Sequence, residues 1–255
     1  MTNTKTVLRE LIEMSREIGR PERDLVILGE GNTSAVCDDG TFWVKASGTQ
    51  LCTPDADTFV RLWLKPVCEL ADRMDVSDDE FKAALAAAKV DPSQPKRPST
   101  ETVLHALALT EMGAAFVGHT HPVAINALMC SVAAEEACKG ALFPDGIVVC
   151  GPAPAYVPYT DPGLPLARAV RSAVRRYMDT WNAPPKVILM QNHGMIALGS
   201  SPTEVDGITS MAVKASRILA GTYAFGGTHF MSESDVQRIY TRPDEGYRRK
   251  ELKLD

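Results

Sequence analysis

From Met112 to Ala134 the chain carries no charged side chain, and this stretch constrains the fold more than any other feature. It is long enough to cross a bilayer, but His119, His121, Pro122 and Asn126 lie inside it. Hydrocarbon tolerates such groups poorly. The remaining solution is a buried core segment beside a functional site, which obliges other elements to cover it. The rest of the 255-residue chain can do so, since 45% of its residues are hydrophobic. That is ample apolar surface for one globular domain over residues 1–255, with a C-terminal tail expected from about 230. The same composition argues against disorder. A net charge of −5 argues against a general nucleic-acid binder, because neutralising phosphates needs a basic face.

The first residues, MTNTKTVLRELIEMSREIGR, are charged throughout and have no apolar signal-peptide core, so a cytoplasmic protein without a membrane partner is expected. Six cysteines without any Cys-x-x-Cys pair then read as reduced thiols. The sequon at Asn32-Thr33-Ser34 is free for other work.

Periodicity supplies the elements. Val7, Leu8, Leu11, Ile12 and Ile18 recur at helical spacing and predict an amphipathic helix ending at Gly19-Arg20-Pro21. Asp38-Asp39-Gly40 between two apolar runs predicts a hairpin. Helices are expected between about 56 and 90, followed by a proline-rich loop. Ser99 or Thr100 is expected to cap a helix through ETVLHALALTEMG. AAFVGHTH reads as a strand stopped by Pro122, and AINALMC as a helix; IVVCG and AYVPY read as strands. Pro165 to Trp181 predicts an amphipathic helix exposing Arg168, Arg171, Arg175 and Arg176. KVILMQNHGMIALG predicts two strands about a turn, and EVDGITSMAVKASRILAGTYAF the last long helix. Interleaved strands and helices without repeats point to an α/β or α+β class, with one sheet covered on both faces.

Three groups of residues carry chemistry. In Gly-His-Thr-His-Pro at 118–122, residues two apart on a strand share a face, so His119 and His121 can present nitrogens to one ion. His193 ends another buried strand, and three imidazoles with an open fourth position suit a catalytic zinc. A histidine pair at this spacing can also be a satisfied core pair. Small polar residues beside glycines recur at Gly31-Asn32-Thr33-Ser34, Ser47-Gly48-Thr49 and Ser99-Thr100. There, backbone and hydroxyl donors could meet an anion, or simply make turns. Gly29-Glu30-Gly31 is not a dinucleotide fingerprint, because Ser34 stands where the third glycine belongs. Glu101 begins a helix and could serve as acid, base or transient ligand, or only favour the helix dipole. His105 shares its helix face, as packing or as a supporting partner. Lys45 could attract an anion or be a solvated strand lysine.

The ordered set GEGNTS, KASGT, PSTETVLH, GHTHP and QNHGMIALG resembles the class II (zinc-dependent) aldolase and adducin family, from about Val7 to Phe225. That family includes fuculose- and rhamnulose-phosphate aldolases and a ribulose-phosphate 4-epimerase. WVKASG and LFPDGIVVCGP look most like the aldolase half of aldolase–dehydrogenase fusions; the dehydrogenase half has no counterpart in these 255 residues. The resemblance implies a three-layer α/β/α sandwich with a central mixed, mostly antiparallel sheet. It implies a homotetramer with active sites between subunits. It matches His119, His121 and His193 to zinc ligands, with Mn2+ or Co2+ as other candidate ions, and Glu101 to the catalytic acid/base. It matches Gly31, Asn32, Ser47, Gly48, Ser99 and Thr100 to the substrate phosphate pocket. No tyrosine stands around Phe143 to Gly146, where the resemblance would place one contributed by a neighbouring subunit.

The implied activity is that of a lyase in carbohydrate metabolism: retro-aldol cleavage of a phosphorylated ketose through a metal-stabilised enediolate. A sugar-acid-phosphate decarboxylase or dehydratase could use the same parts. A 4-epimerase fits less well, because family epimerases carry aspartate where this chain has Glu101. A non-catalytic adducin-like assembly domain would have lost metal ligands, whereas all three histidines stand here.

Overall fold

Alternation along the strands decides which side chains meet which helices. The computed structural model describes residues 4–252. Its sheet comprises β1 (Asn32–Val36), β2 (Thr41–Lys45), β3 (Phe59–Trp63), β4 (Phe116–Thr120), β5 (Ala155–Val157), β6 (Val187–Met190) and β7 (Gly194–Gly199). The seven strands lie in the order β3-β2-β1-β4-β7-β6-β5. Every pairing is antiparallel except the parallel β5–β6 pair, which makes the sheet mixed and mostly antiparallel. The hairpin expected at Asp38-Asp39-Gly40 joins β1 to β2, with Gly40 at φ +79°.

Phe42, Val44, Leu62, Val117, Ile188, Ile196 and Leu198 point to one face, under α4 (Thr102–Thr110) and α7 (Leu164–Trp181). Ala35, Phe116, Val187, Leu189, Met195 and Ala197 point to the other. There they meet α1 (Thr4–Ile18), α5 (Val123–Met129) and α8 (Pro202–Thr222). The outcome is three layers, helix on sheet on helix, as the sequence led us to expect. No helix among the described residues is long and apolar enough to cross a membrane, and all six cysteines are free thiols.

Local expectations fail in three places. The region 56–90 holds α2 (Leu64–Glu69) and α3 (Asp78–Ala87), but also β3, whose Phe59, Val60 and Leu62 are fully buried. IVVCG is helical, not a strand: Pro144 opens α6 (Pro144–Cys150) and Gly151, at φ +84°, ends it. Its β-branched run favours a strand, yet Ile147 and Val148 are buried against Val236 and Ile239 in a helical packing that overrides propensity. Those last residues belong to α9 (Glu233–Thr241), which with α10 (Pro243–Glu251) occupies the segment expected as a tail. Finally, neither Ser99 nor Thr100 caps α4; Glu101 stands at that position and makes no capping bond, leaving its carboxylate for other partners. Two arginines of α7 are structural: Arg168 donates to the carbonyls of Ala71 and Arg73, and Arg171 pairs with Asp72 and Glu111, while Arg175 and Arg176 are exposed as expected.

Candidate metal centre and active site

β4 delivers the first histidine. Val117 and His119 share the face that looks toward α4, and His119 is 2% exposed. His121 lies just past the strand, where its backbone N–H donates to the Leu25 carbonyl at 2.9 Å. The third comes from the neighbouring β6–β7 turn, in which Asn192 takes a left-handed φ of +54° immediately before His193. Because β4 pairs with β7, the three rings converge, with centroids 4.7, 5.0 and 5.2 Å apart. One ring nitrogen from each lies within 4.8 Å of the others, so the group could hold a metal ion.

Hydrogen bonds assign the tautomers. His119 Nδ1–H donates to the Met195 carbonyl at 2.8 Å, and His121 Nδ1–H to Glu30 Oε2 at 3.2 Å. Each Nε2 is then left with its lone pair, and these two atoms face one another at 3.0 Å. Such an arrangement repels unless a positive charge lies between them. A proton is a poor candidate, since burial pushes His119 below its ordinary value. Burial, then the neighbouring His119 and His193, push His121 down to about 4. A divalent ion would satisfy both of these nitrogens at once, and Nδ1 bonds to a carbonyl and a carboxylate are the usual support for metal-binding imidazoles. The donor set fits a metal.

Glu101 closes the remaining side. It is 6% exposed, with Oε2 at 3.3 Å from His119 Nε2 and Oε1 at 3.2 Å from His193 Nε2. Burial works against the ionised carboxyl, but positive charge at the imidazole site, at His119 first, and the Asn32 amide outweigh it, a charge that neutral rings lack and a bound ion would supply. That charge and the amide hold the group below the usual carboxylate range. Asn32 Nδ2 donates to Glu101 Oε2 at 2.7 Å and to Ser99 Oγ at 3.2 Å. Its Oδ1 accepts from His105 Nε2–H, while the Ser34 hydroxyl donates to His105 Nδ1 at 2.6 Å. His105 is thus a supporting partner, fully buried and pushed down to about 3 by that burial.

The residues expected to hold phosphate divide into two groups. Gly31, at φ +66°, could carry no side chain: a Cβ would lie 2.8 Å from the His119 carbonyl. It, Asn32 and Ser99 adjoin the histidines and Glu101. The Ser47 and Ser99 segments pair through Ser47 N–H to the Arg97 carbonyl (2.9 Å) and Ser99 N–H to the Lys45 carbonyl (3.1 Å). Ser47, Gly48 and Thr100 are exposed there, with open space around Gly48. Lys45 is no solvated lysine: it is buried, its Nζ donates to the Gly29 carbonyl at 3.0 Å, and burial pushes it down to about 8. The residue that sequence reasoning missed is Glu30, whose one legible signal is an acid set between two glycines.

The profile of the family described as Class II Aldolase and Adducin N-terminal domain matches residues 9–219. The chain belongs to this family. A Bacillus subtilis (strain 168) protein named Uncharacterized oxidoreductase YuxG is 30% identical over 202 residues, which cover 76% of this chain and 27% of that protein. The chain therefore spans about a quarter of that relative's length. Among solved structures, an L-fuculose 1-phosphate aldolase superposes with a TM-score of 0.69 at 17% identity, covering 94% of this chain and 96% of that one. The N-terminal class II aldolase domain of a Thermoplasma acidophilum protein superposes with a TM-score of 0.66 at 23% identity, covering 86% and 96%. At these identities the structural likeness speaks for the class II aldolase fold.

Proposed function

We propose that the protein is a zinc-dependent lyase that cleaves a phosphorylated ketose by retro-aldol chemistry. The observation that carries this reading is the convergence of three imidazoles on one buried carboxylate. His119, His121 and His193 would hold the ion; zinc suits three nitrogens, and Mn2+ or Co2+ could occupy the same donors. When bound, the ion supplies a Lewis-acid charge against the negative charge that develops on the substrate oxygens as the carbon–carbon bond breaks.

The chain's own residues do the rest. Glu101 takes the proton from the hydroxyl that becomes the aldehyde, and returns it to the carbon that keeps the electron pair of the broken bond. Asn32, fixed by His105, holds Glu101 Oε2 in place through the transfer. Gly31, Ser47, Gly48, Ser99 and Thr100 would position the substrate phosphate so that the reacting carbons sit beside Glu101, while both Asn32 amide hydrogens are committed to Glu101 and Ser99. Exposed Ile27, Leu28 and Val123 near His121 support a homotetramer with sites at subunit contacts. We place this enzyme, as one domain over residues 1–255, in the cytoplasm.

The test is a screen of ketose phosphates and sugar-acid phosphates with zinc-loaded protein, reading released dihydroxyacetone phosphate, aldehyde and carbon dioxide. Aldehyde with dihydroxyacetone phosphate supports the proposal. Carbon dioxide, or loss of water without cleavage, replaces it with the decarboxylase or dehydratase reading. No turnover of any substrate by a metal-loaded protein points to an assembly domain.

A further inference from the structure

Glu30 lies outside every element, between two glycines, yet both of its carboxylate oxygens are engaged. Oε2 accepts from His121 Nδ1 at 3.2 Å, and Oε1 accepts from the Ile27 backbone N–H at 2.6 Å. The second bond closes the loop over residues 24–31 upon itself, around Leu28. That residue is 74% exposed and sits at φ +54°, a conformation a bulky side chain adopts only where its surroundings enforce it. The same loop touches the site at three further points. The Leu25 carbonyl accepts from His121 N–H, the Gly29 carbonyl accepts from Lys45 Nζ, and Gly31 lies against the His119 carbonyl.

We propose that Glu30 is a positioning residue that ties this loop to the metal ligand His121, so that loop order and metal affinity rise and fall together. The proposal rests on reading His119, His121 and His193 as metal ligands. The geometry explains why one carboxylate serves both ends. An imidazole that donates Nδ1–H to a carboxylate has its ring orientation and its Nε2 lone pair fixed, and it becomes a stronger ligand. The remaining oxygen of the same group can accept the loop N–H only while the loop is folded. A glutamine in this place has one acceptor oxygen and can satisfy one of the two partners, not both.

The experiment measures zinc affinity by competition with a chromophoric chelator, and hydrogen exchange at the amides of residues 27–29. It compares wild type, His121→Ala, Glu30→Gln and Glu30→Ala. Zinc binding by wild type that His121→Ala abolishes establishes the metal reading by itself. Glu30→Ala is expected to bind zinc about 10- to 100-fold more weakly. Glu30→Gln should fall between it and wild type, and both should exchange faster at residues 27–29 with zinc bound. Zinc affinity within about twofold of wild type in both variants overturns the proposal while leaving the metal reading intact. Weaker binding with unchanged loop exchange overturns it too, since the coupling is then absent. Should Glu30→Ala fail to fold, Glu30→Gln decides alone. No zinc binding by wild type removes the metal reading and this proposal with it.

Discussion

Asn32 sits where the sequence places a phosphate contact, but the structure gives its amide a different first partner. Nδ2 donates to Glu101, and His105 fixes the orientation by donating to Oδ1. Ser99 is less committed: its hydroxyl accepts from Asn32 and from the Glu101 backbone N–H, so its own proton remains to be donated. Asn32→Ala should therefore lower kcat, while Ser99→Ala should raise KM for a phosphorylated substrate. A neutral hydrogen bond to a charged oxygen contributes roughly 1.5–3 kcal/mol, so the Ser99 effect should be about 10- to 100-fold. Steady-state kinetics on the two variants checks this, and equal changes in both parameters for both would sink it. Glu101→Gln sets the scale: turnover should fall roughly 10²-fold or more with zinc content unchanged. His105 makes a separate, thermodynamic prediction. Its folded value of about 3 lies below its ordinary 6.5, so the unfolded chain takes up a proton that the folded one refuses. Stability is whole above about pH 6.5 and falls as pH drops toward 3, by about 1.4 kcal/mol per pH unit from this group. Urea midpoints of metal-free protein between about pH 7 and pH 5 should slope less in His105→Asn than in wild type. Identical slopes would mean that His105 titrates normally.

At the scale of elements, β4 separates chemistry from packing by parity. His119 faces α4, and Gly118 faces the opposite helices. A Cβ on Gly118 would come within 2.7 Å of Val205 Cγ1 and 3.3 Å of Ile18 Cδ1. Gly118→Ala should destabilise by about 1–3 kcal/mol through overpacking, while zinc affinity stays near wild type. Thermal melts with and without zinc separate the two effects, and a loss of metal without a loss of stability would contradict the assignment of faces. This parity was legible in the sequence, as were the hairpin, the strand–turn–strand around His193 and the layering. What was not legible depended on distant partners. IVVCG has the composition of a strand, and only its packing against Val236 and Ile239 makes it a helix. FVRLW is a short strand at the sheet's edge, set among charged residues that suggested helices. Glu30 meets His121 across 91 positions of sequence, a separation that no local pattern signals. The three histidines and Glu101 could be singled out because their spacing repeats an ordered set of motifs. The tautomers that suit the histidines to a metal could not, since Met195 supplies a backbone carbonyl that any residue could offer.

For the molecule as a whole, the histidines come from parts that the strand ladders and the two apolar cores already hold together. His119 belongs to β4, His121 to the segment leading into α5, and His193 to the β6–β7 turn, while Glu101 stands at the head of α4. An ion bound there clasps the middle of the sheet to its helical cover, and it binds a geometry that the unfolded chain does not possess. Ligand that binds only the folded state stabilises it by about 2.7 kcal/mol at a hundredfold excess over Kd. In a chain of this size each kcal/mol raises Tm by about 2–4 °C, so saturating zinc should raise Tm by about 5–10 °C. Chelation should reverse the shift, and His193→Ala should abolish it while leaving the metal-free Tm near that of wild type. A comparable shift in a variant lacking all three imidazoles would show that zinc stabilises through some other part of the surface, and the centre built from β4 and the β6–β7 turn would lose its claim to the metal.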